Sequence, residues 1–383
     1  MIPRAIQFKI EELLSKYPII AITGPRQSGK TTLSKLIKPD YNYVNLENLS
    51  NRDFAKSDPL GFLETYQNGV IIDEIQYVPQ LFSYLQVVTD ERNRNGEYII
   101  TGSQNFLLME QISQSLAGRI ALFTLLPLSI NELQLTNYKV TQWEDYAIGG
   151  SYPRKIIQHI ESSDYYENYL KTYVERDVRL LKNITNLDLF QKFIQLLAGR
   201  VGQLFNQSSL GNELGLDNKT INAWFSLLET SFIAFKLQPY HKNFSKRIVK
   251  TPKIYFYDTG LLCYLLGIHT TEELAIHFAK GNIFENLVIS ELIKNTINSA
   301  SKSKLYFWRD TAQHEVDVLV ETGLKLSAIE IKSGKTIHQD FFKGLDYFKK
   351  INPTSDLKLL YGGVENQDRS SYEVCSIYKL PVV

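Results

Sequence analysis

The sequence predicts an α/β chain in three parts: a domain with a parallel sheet, a helical middle closed by a β-hairpin, and a second α/β domain. Three observations predict it. An apolar run at 17–23 leads through a glycine-bearing loop into an amphipathic stretch at 32–37. Between 186 and 258, three helical patterns precede two strand-like runs. From 281 onward, one long helical pattern precedes three short runs of alternating polarity. A length of 383 residues suits two or three domains, and 44% hydrophobic residues suffice for their cores. The expected division is 1–135, 136–185, 186–268 and 269–383, the second segment being a helical lid or connector.

The first loop, Gly24-Pro25-Arg26-Gln27-Ser28-Gly29-Lys30-Thr31, fits the phosphate-cradling pattern G-x-x-x-x-G-K-[ST]. Glycines let the backbone curl so that successive N–H groups point at phosphate oxygens. The helix that follows directs its positive end at the same anion. Lys30 can reach the β- and γ-phosphates, and Thr31 can place its hydroxyl on Mg²⁺. The expected nucleotide-binding set is Gly24, Gln27, Ser28, Gly29, Lys30, Thr31 and Thr32, with ATP and Mg²⁺ as ligands.

The apolar run at 70–72 ends in Asp73 and Glu74. Asp73 can hold the Mg²⁺ shell beside Thr31, and Glu74 can polarise a water for attack on the γ-phosphate. The run at 97–101 ends at Gly102-Ser103-Gln104. Ser103 or Gln104 can sense the γ-phosphate or serve only as turn chemistry. Arg119 stands just before another apolar run at 120–126. It reads either as a functional arginine or as a helix C-terminal cation that satisfies the dipole.

Downstream, Ser129 with Glu132 predicts a helix-capping box. A Tyr-rich helical pattern fills 162–182, where Arg176 and Arg179 can approach phosphate or form a solvated ion-paired face. Gly215 ends one helix of the middle region and Asp217 caps the next. The outline is helix-turn-helix plus hairpin, a winged helix. Asn218, Lys219, Thr220 and Asn222 suit a major groove, and Lys242, Lys246, Arg247, Lys250 and Lys253 suit DNA phosphates. A module for packing or oligomer contacts has the same outline.

In the last third, Glu285 lies beside an apolar helical stripe of Phe284, Leu287, Val288 and Leu292. Asp317 alternates with Val316 and Val318, and Glu330 shares a strand face with Lys332. Carboxylates and a lysine on adjacent strands can bind Mg²⁺ and activate water. A Glu-x-Lys pair can also be a plain same-face ion pair. His314 reads as a turn residue or an assistant.

The order of loop, paired acids, polar strand end and arginine resembles an AAA+ ATPase. Gly24-Pro25-Arg26-Gln27, Asp73-Glu74-Ile75-Gln76, Thr101-Gly102-Ser103, 115–119 and Pro127-Leu128-Ser129 narrow it to a bacterial and archaeal family. Its members fuse an AAA+ ATPase to a C-terminal domain of unknown function, and the likeness runs over nearly the whole chain. Their compact Gly-Gly-aromatic-Pro motif is interrupted here by Ser151, between Gly150 and Tyr152. The resemblance implies that Arg119 reaches a neighbouring subunit's γ-phosphate. The C-terminal pattern resembles a PD-(D/E)XK nuclease core, a restriction-endonuclease-like α/β domain. Asp317, Glu330 and Lys332 would be its signature, and Glu285 its helical acid. That likeness implies metal ligands at Glu285, Asp317 and Glu330 and catalysis with Lys332.

Composition adds bounds. A net charge of +1 argues against a chain that binds polyanions over its whole surface, so a DNA contact must be local. Cys263 and Cys375 match no metal or redox spacing. No run reaches the ~18 apolar residues that span a bilayer. The expectation is a cytoplasmic ATPase, able to form a homo-oligomer, with DNA as partner and no membrane. ATP turnover would control DNA engagement or cleavage, or drive a switch whose nuclease-like module is inert.

Overall fold

The computed structural model describes residues 2–103, 115–173, 184, 186–241 and 249–380. Gln104, Arg176, Arg179, Lys242, Lys246 and Arg247 lie outside the described residues. The chain divides into two compact units, one formed mainly by Met1–Pro127 and the other by most of the remainder.

In the first unit, five strands form a parallel sheet: β1 (Ile19–Thr23), β2 (Asn42–Asn45), β3 (Val70–Asp73), β4 (Tyr98–Gly102) and β5 (Ile120–Thr124). Their order is β2-β3-β4-β1-β5. Parallel strands are covered on both faces, so they read as unbroken apolar runs. Alternate residues serve opposite layers. Ile19, Ala21, Val70, Ile72 and Ile100 pack with Leu81 and Leu85 of the Leu81–Arg92 helix. Ile20, Ile22, Ile71 and Ile99 pack with Ile10 of the Gln7–Leu14 helix and with Leu33 and Ile37 of the Lys30–Ile37 helix. After β1 the chain crosses to the far edge, and it returns to β1's other side only at β5. The turn after β1 is therefore at a switch point, where such sheets bind ligands beyond the strands' carboxyl ends.

The second unit opens with the predicted capping box, Ser129 and Glu132, on the Ile130–Gln134 helix. Helices Leu187–Ala198, Gln207–Leu214 and Asn218–Thr230 lead to the antiparallel pair β6 (Ala234–Leu237) and β7 (Lys253–Phe256). Gly215 is left-handed, and Asp217 Oδ1 accepts from Thr220 N–H at 2.7 Å, as those residue types require. The first strand starts two residues later than its apolar run, because Phe232 itself has φ 58°.

A mixed six-stranded sheet follows, in order β12-β13-β11-β10-β9-β8. It comprises β8 (Lys304–Arg309), β9 (Glu315–Thr322), β10 (Lys325–Lys332), β11 (Asp356–Tyr361), β12 (Gln367–Asp368) and β13 (Glu373–Ser376). The hairpin connection is partly tied to this sheet. Tyr240 N–H donates to Phe307 O at 2.8 Å, and Val249 N–H donates to Arg309 O at 3.1 Å.

The Lys280–Asn298 helix buries charge as well as its apolar stripe. Glu291 is 0% and Lys294 is 2% exposed. Lys294 Nζ donates to Glu291 Oε1 (2.7 Å), Ser151 Oγ (3.0 Å), Leu128 O (3.2 Å) and Tyr146 OH (3.2 Å). Glu291 also accepts from Ile130 N–H at 2.6 Å and Tyr146 OH at 2.8 Å. Ser151 is thus a hub. Its N–H and hydroxyl both donate to Asp258 Oδ2 at 2.8 Å.

Candidate functional site

The loop between β1 and the Lys30–Ile37 helix has the backbone of an anion cradle. Gly24 has φ 141°, Gln27 φ 62° and Gly29 φ 97°. A side chain at Gly24 would also run into the Leu125 carbonyl oxygen, so only glycine fits. Lys30 is buried and folds back, with Nζ donating to Gly24 O at 3.0 Å and Pro25 O at 2.9 Å. Ser28 Oγ is buried and has no hydrogen-bond partner among the described residues. A bare hydroxyl beside a coiled lysine is the polarity that a triphosphate would satisfy. Thr32 is exposed on the first helical turn. Arg4, which no sequence pattern singled out, braces the loop from below. Its guanidinium donates to Ser28 O at 2.8 Å and Leu126 O at 2.6 Å.

The paired acids converge on this loop. Thr31 Oγ1 donates to Asp73 Oδ2 at 2.9 Å, which fits a shared Mg²⁺ shell. Two further donors hold Asp73: Tyr43 OH at 2.7 Å and the Thr101 hydroxyl. Burial, followed by Asp73's acceptance of its proton, holds the Tyr43 phenol well above its ordinary pKa. Tyr43 therefore remains a donor. Lys35 Nζ lies 3.5 Å from the centre of the Tyr43 ring. Glu74 follows β3 with φ 56°, a left-handed backbone costly for a side chain of its size. Its Oε2 accepts from Ser103 Oγ at 3.0 Å, Ser103 N–H at 3.3 Å and Gln76 Nε2. Ser103 thus meets the acid directly.

Arg119 is at the opposite end of the sheet, where its carbonyl accepts from Ile19 N–H at 3.2 Å. A five-residue strand separates it from the loop, about 16 Å at ~3.3 Å per residue. It makes a bidentate pair with Asp90, at 2.6 and 2.7 Å. The pair pulls the Asp90 carboxyl below its ordinary pKa. Arg119 has no path to its own loop.

The second cluster lies on β7, β9, β10 and the Lys280–Asn298 helix, its side chains all within the second unit. Asp317 Oδ2 accepts from Ile331 N–H at 2.7 Å, and Lys332 Nζ is 2.6 Å from Glu330 Oε1 and 3.8 Å from Asp317 Oδ2. Glu285 Oε1 accepts from Tyr255 OH at 2.5 Å and Lys253 Nζ at 3.1 Å. Lys253 also contacts Glu315 at 2.5 Å and is 4% exposed. Burial raises the Glu285 carboxyl against the opposing pull of Lys253. Burial, with Asp317 adding, pushes Glu330 up to about 8. Burial alone would lower Lys253, but Glu285, Glu315 and Asp317 more than offset it.

Two expectations change here. Lys253 does not serve a phosphate-contacting wing, because it points inward and is paired to two acids. Glu285, Asp317 and Glu330 do not form a ready metal cage. Among the described residues, no group of three or more His, Cys, Asp or Glu is placed to hold a metal ion. Lysines stand between the carboxylates instead. His314 is a turn residue, its N–H donating to Asp310 Oδ1 at 2.9 Å and its ring stacked on Tyr347.

Residues 16–134 match a family model described as an AAA domain. Residues 140–272 and 280–380 match two domains of unknown function, DUF8612 and DUF4143. The chain is 29% identical over 329 residues to an uncharacterized protein of Mycobacterium tuberculosis, covering 86% of this chain and 73% of that one. It is 24% identical over 325 residues to an uncharacterized protein of Haemophilus influenzae, covering 76% of each. Among solved structures, a Walker-type ATPase of Pyrococcus abyssi aligns at 14% identity over 68% of this chain and 94% of that one, with a TM-score of 0.45. No helix among the described residues is long and apolar enough to cross a membrane.

Proposed function

We propose that the chain hydrolyses ATP with Mg²⁺ at the cradle after β1. The observation that carries this reading is the Thr31–Asp73 hydrogen bond, with Glu74 next in sequence and Lys30 coiled in the loop. Mg²⁺, held through Thr31 and Asp73, would neutralise charge on the β- and γ-phosphates. Lys30 would leave its carbonyl partners for phosphate oxygens. Glu74 takes a proton from the attacking water, and Ser103 keeps the carboxylate in place. Lys30→Ala should abolish nucleotide binding or turnover. Glu74→Gln should retain a fluorescent ATP analogue while hydrolysis falls, by roughly 10²–10⁴-fold for a general base. Hydrolysis by Glu74→Gln at the wild-type rate would refute the assignment.

For the C-terminal cluster, two readings divide on one observation. A cleaving nuclease needs carboxylates open to a metal, whereas here Lys253 and Lys332 are paired to them. That favours an ATP-driven switch whose nuclease-like module binds DNA or protein without cutting, DNA contact falling to the basic connection between β6 and β7. The test is incubation with single- and double-stranded DNA, with Mg²⁺ or Mn²⁺, with and without ATP. The switch reading expects no cleavage. Cleavage that disappears in both Asp317→Ala and Lys332→Ala would restore the nuclease reading.

A further inference from the structure

Immediately after Glu74, the 3₁₀ turn Ile75–Tyr77 brings Gln76 back against it. Gln76 is 6% exposed, and its amide meets Glu74 Oε2. An ionised carboxylate only accepts, so the amide nitrogen must face Glu74. The amide oxygen then faces away. It is buried and has no hydrogen-bond partner among the described residues. A bare buried acceptor gives up its hydration with nothing in return. An apolar residue would avoid that cost, so the orphan oxygen calls for an occupant.

Glu74 shows the complementary asymmetry. Oε2 collects all three donors, from Ser103 N–H, Ser103 Oγ and Gln76 Nε2. Among the described residues, none donates to Oε1. The carboxylate is thus clamped by one oxygen and open at the other.

We propose that Gln76 is a positioning residue of the hydrolytic centre: its Nε2 aims Glu74, and its Oε1 accepts a hydrogen bond from the water that attacks the γ-phosphate. This rests on the reading of Glu74 as the general base. The water oxygen bonds to the γ-phosphorus. The bond from that phosphorus to the β,γ-bridging oxygen breaks, its electron pair leaving with ADP. One water proton passes to Glu74 Oε1, and the other, held by Gln76 Oε1, stays on the new phosphate.

The test compares Gln76→Glu, Gln76→Ala and Glu74→Gln in the full chain. Gln76→Glu keeps the shape and replaces the donor by a second carboxylate. Its carboxylate can no longer donate to Glu74, so kcat should fall roughly 10–100-fold although the shape is kept. Gln76→Ala should lower kcat roughly 10–100-fold, part of a general base's contribution. KM and the affinity for a fluorescent ATP analogue should stay within about twofold of wild type, since the clamp acts on the base and not on the phosphates. A role in folding alone would lower Tm without separating kcat from KM. A Gln76→Glu kcat equal to wild type, while Glu74→Gln is inactive, would overturn the proposal and leave the base assignment standing. Full hydrolysis by Glu74→Gln would instead remove the base itself.

Discussion

Replacing Lys253 by methionine removes a charge while nearly keeping volume. The ammonium is 4% exposed and pairs with Glu285 at 3.1 Å and Glu315 at 2.5 Å. Removing one partner of a buried pair costs about 3–5 kcal/mol, because the other charge is stranded. The structure places this case near the lower end. Glu315 retains Arg309 at 3.3 Å, and Glu285 retains the Tyr255 hydroxyl at 2.5 Å. A loss of about 3 kcal/mol lowers Tm by roughly 6–12 °C at ~2–4 °C per kcal/mol for a unit of this size. The loss must also depend on pH. Burial raises Glu285 above its unfolded value of 4.5, and Lys253 opposes that rise. Without the lysine, the folded pKa climbs further. A carboxyl raised in the folded state contributes stability that is full below its unfolded pKa and lost as pH rises through its folded pKa. Thermal denaturation should therefore show a small deficit at pH 5 and the full deficit at pH 8. Equal Tm at pH 8, or a deficit that widens toward pH 5, would refute the reasoning.

Tyr43→Phe deletes one donor to Asp73 without touching the loop. Outer donors of a metal-site carboxylate are typically worth 10-fold or more in affinity, so the Mg²⁺ concentration for half-maximal nucleotide binding should rise roughly 10-fold. An unchanged Mg²⁺ titration would show that Tyr43 serves only its stack with Lys35. Arg119 lies at the end of the sheet away from its own loop, so a catalytic role would have to be played on a second copy. Turnover per chain should rise with protein concentration, and Arg119→Ala should remove the rise, up to ~10³-fold for a trans-acting arginine. Constant turnover per chain at every protein concentration would leave Arg119 as a partner of Asp90 alone.

The parts of the site that a short window encodes were legible in the residues. The loop's glycines, Lys30, Thr31, Asp73 and Glu74 lie within strand–turn–helix units, where spacing dictates direction. The Ser129–Glu132 box and the Asp217 cap, in a turn between two helices, are encoded as locally. What escaped depends on strands that meet only after folding. Tyr43 reaches Asp73 because β2 lies beside β3 in the parallel sheet, and nothing near Tyr43 in sequence announces it. Arg4 finds the loop across 24 residues. Lys253 shared a stretch with other basic residues and read as surface. Its inward direction follows from β7 lying against the Lys280–Asn298 helix, where Asn286 holds the Phe256 backbone at 2.7 and 3.1 Å. The faces of Asp317, Glu330 and Lys332 followed from alternation, but the placement of Lys253 between Glu285 and Glu315 did not.

The charged hub of the second unit sets an order of assembly on the ribosome. The strands of the first sheet all fall between 19 and 124, so each finds its neighbours soon after synthesis. Ile130 donates to Glu291 across 161 residues, and Leu128 accepts from Lys294 across 166. At ~5–20 residues per second, the nascent helix at Ile130–Gln134 waits roughly 8–32 s for its carboxylate. During that interval the Tyr146 hydroxyl can already donate to the Leu128 carbonyl, as it does at 2.9 Å in the fold, but Trp143 still lacks the Phe284 ring that packs on it at 4.8 Å. A pause in translation before Lys294 emerges should therefore prolong the exposure of that apolar surface.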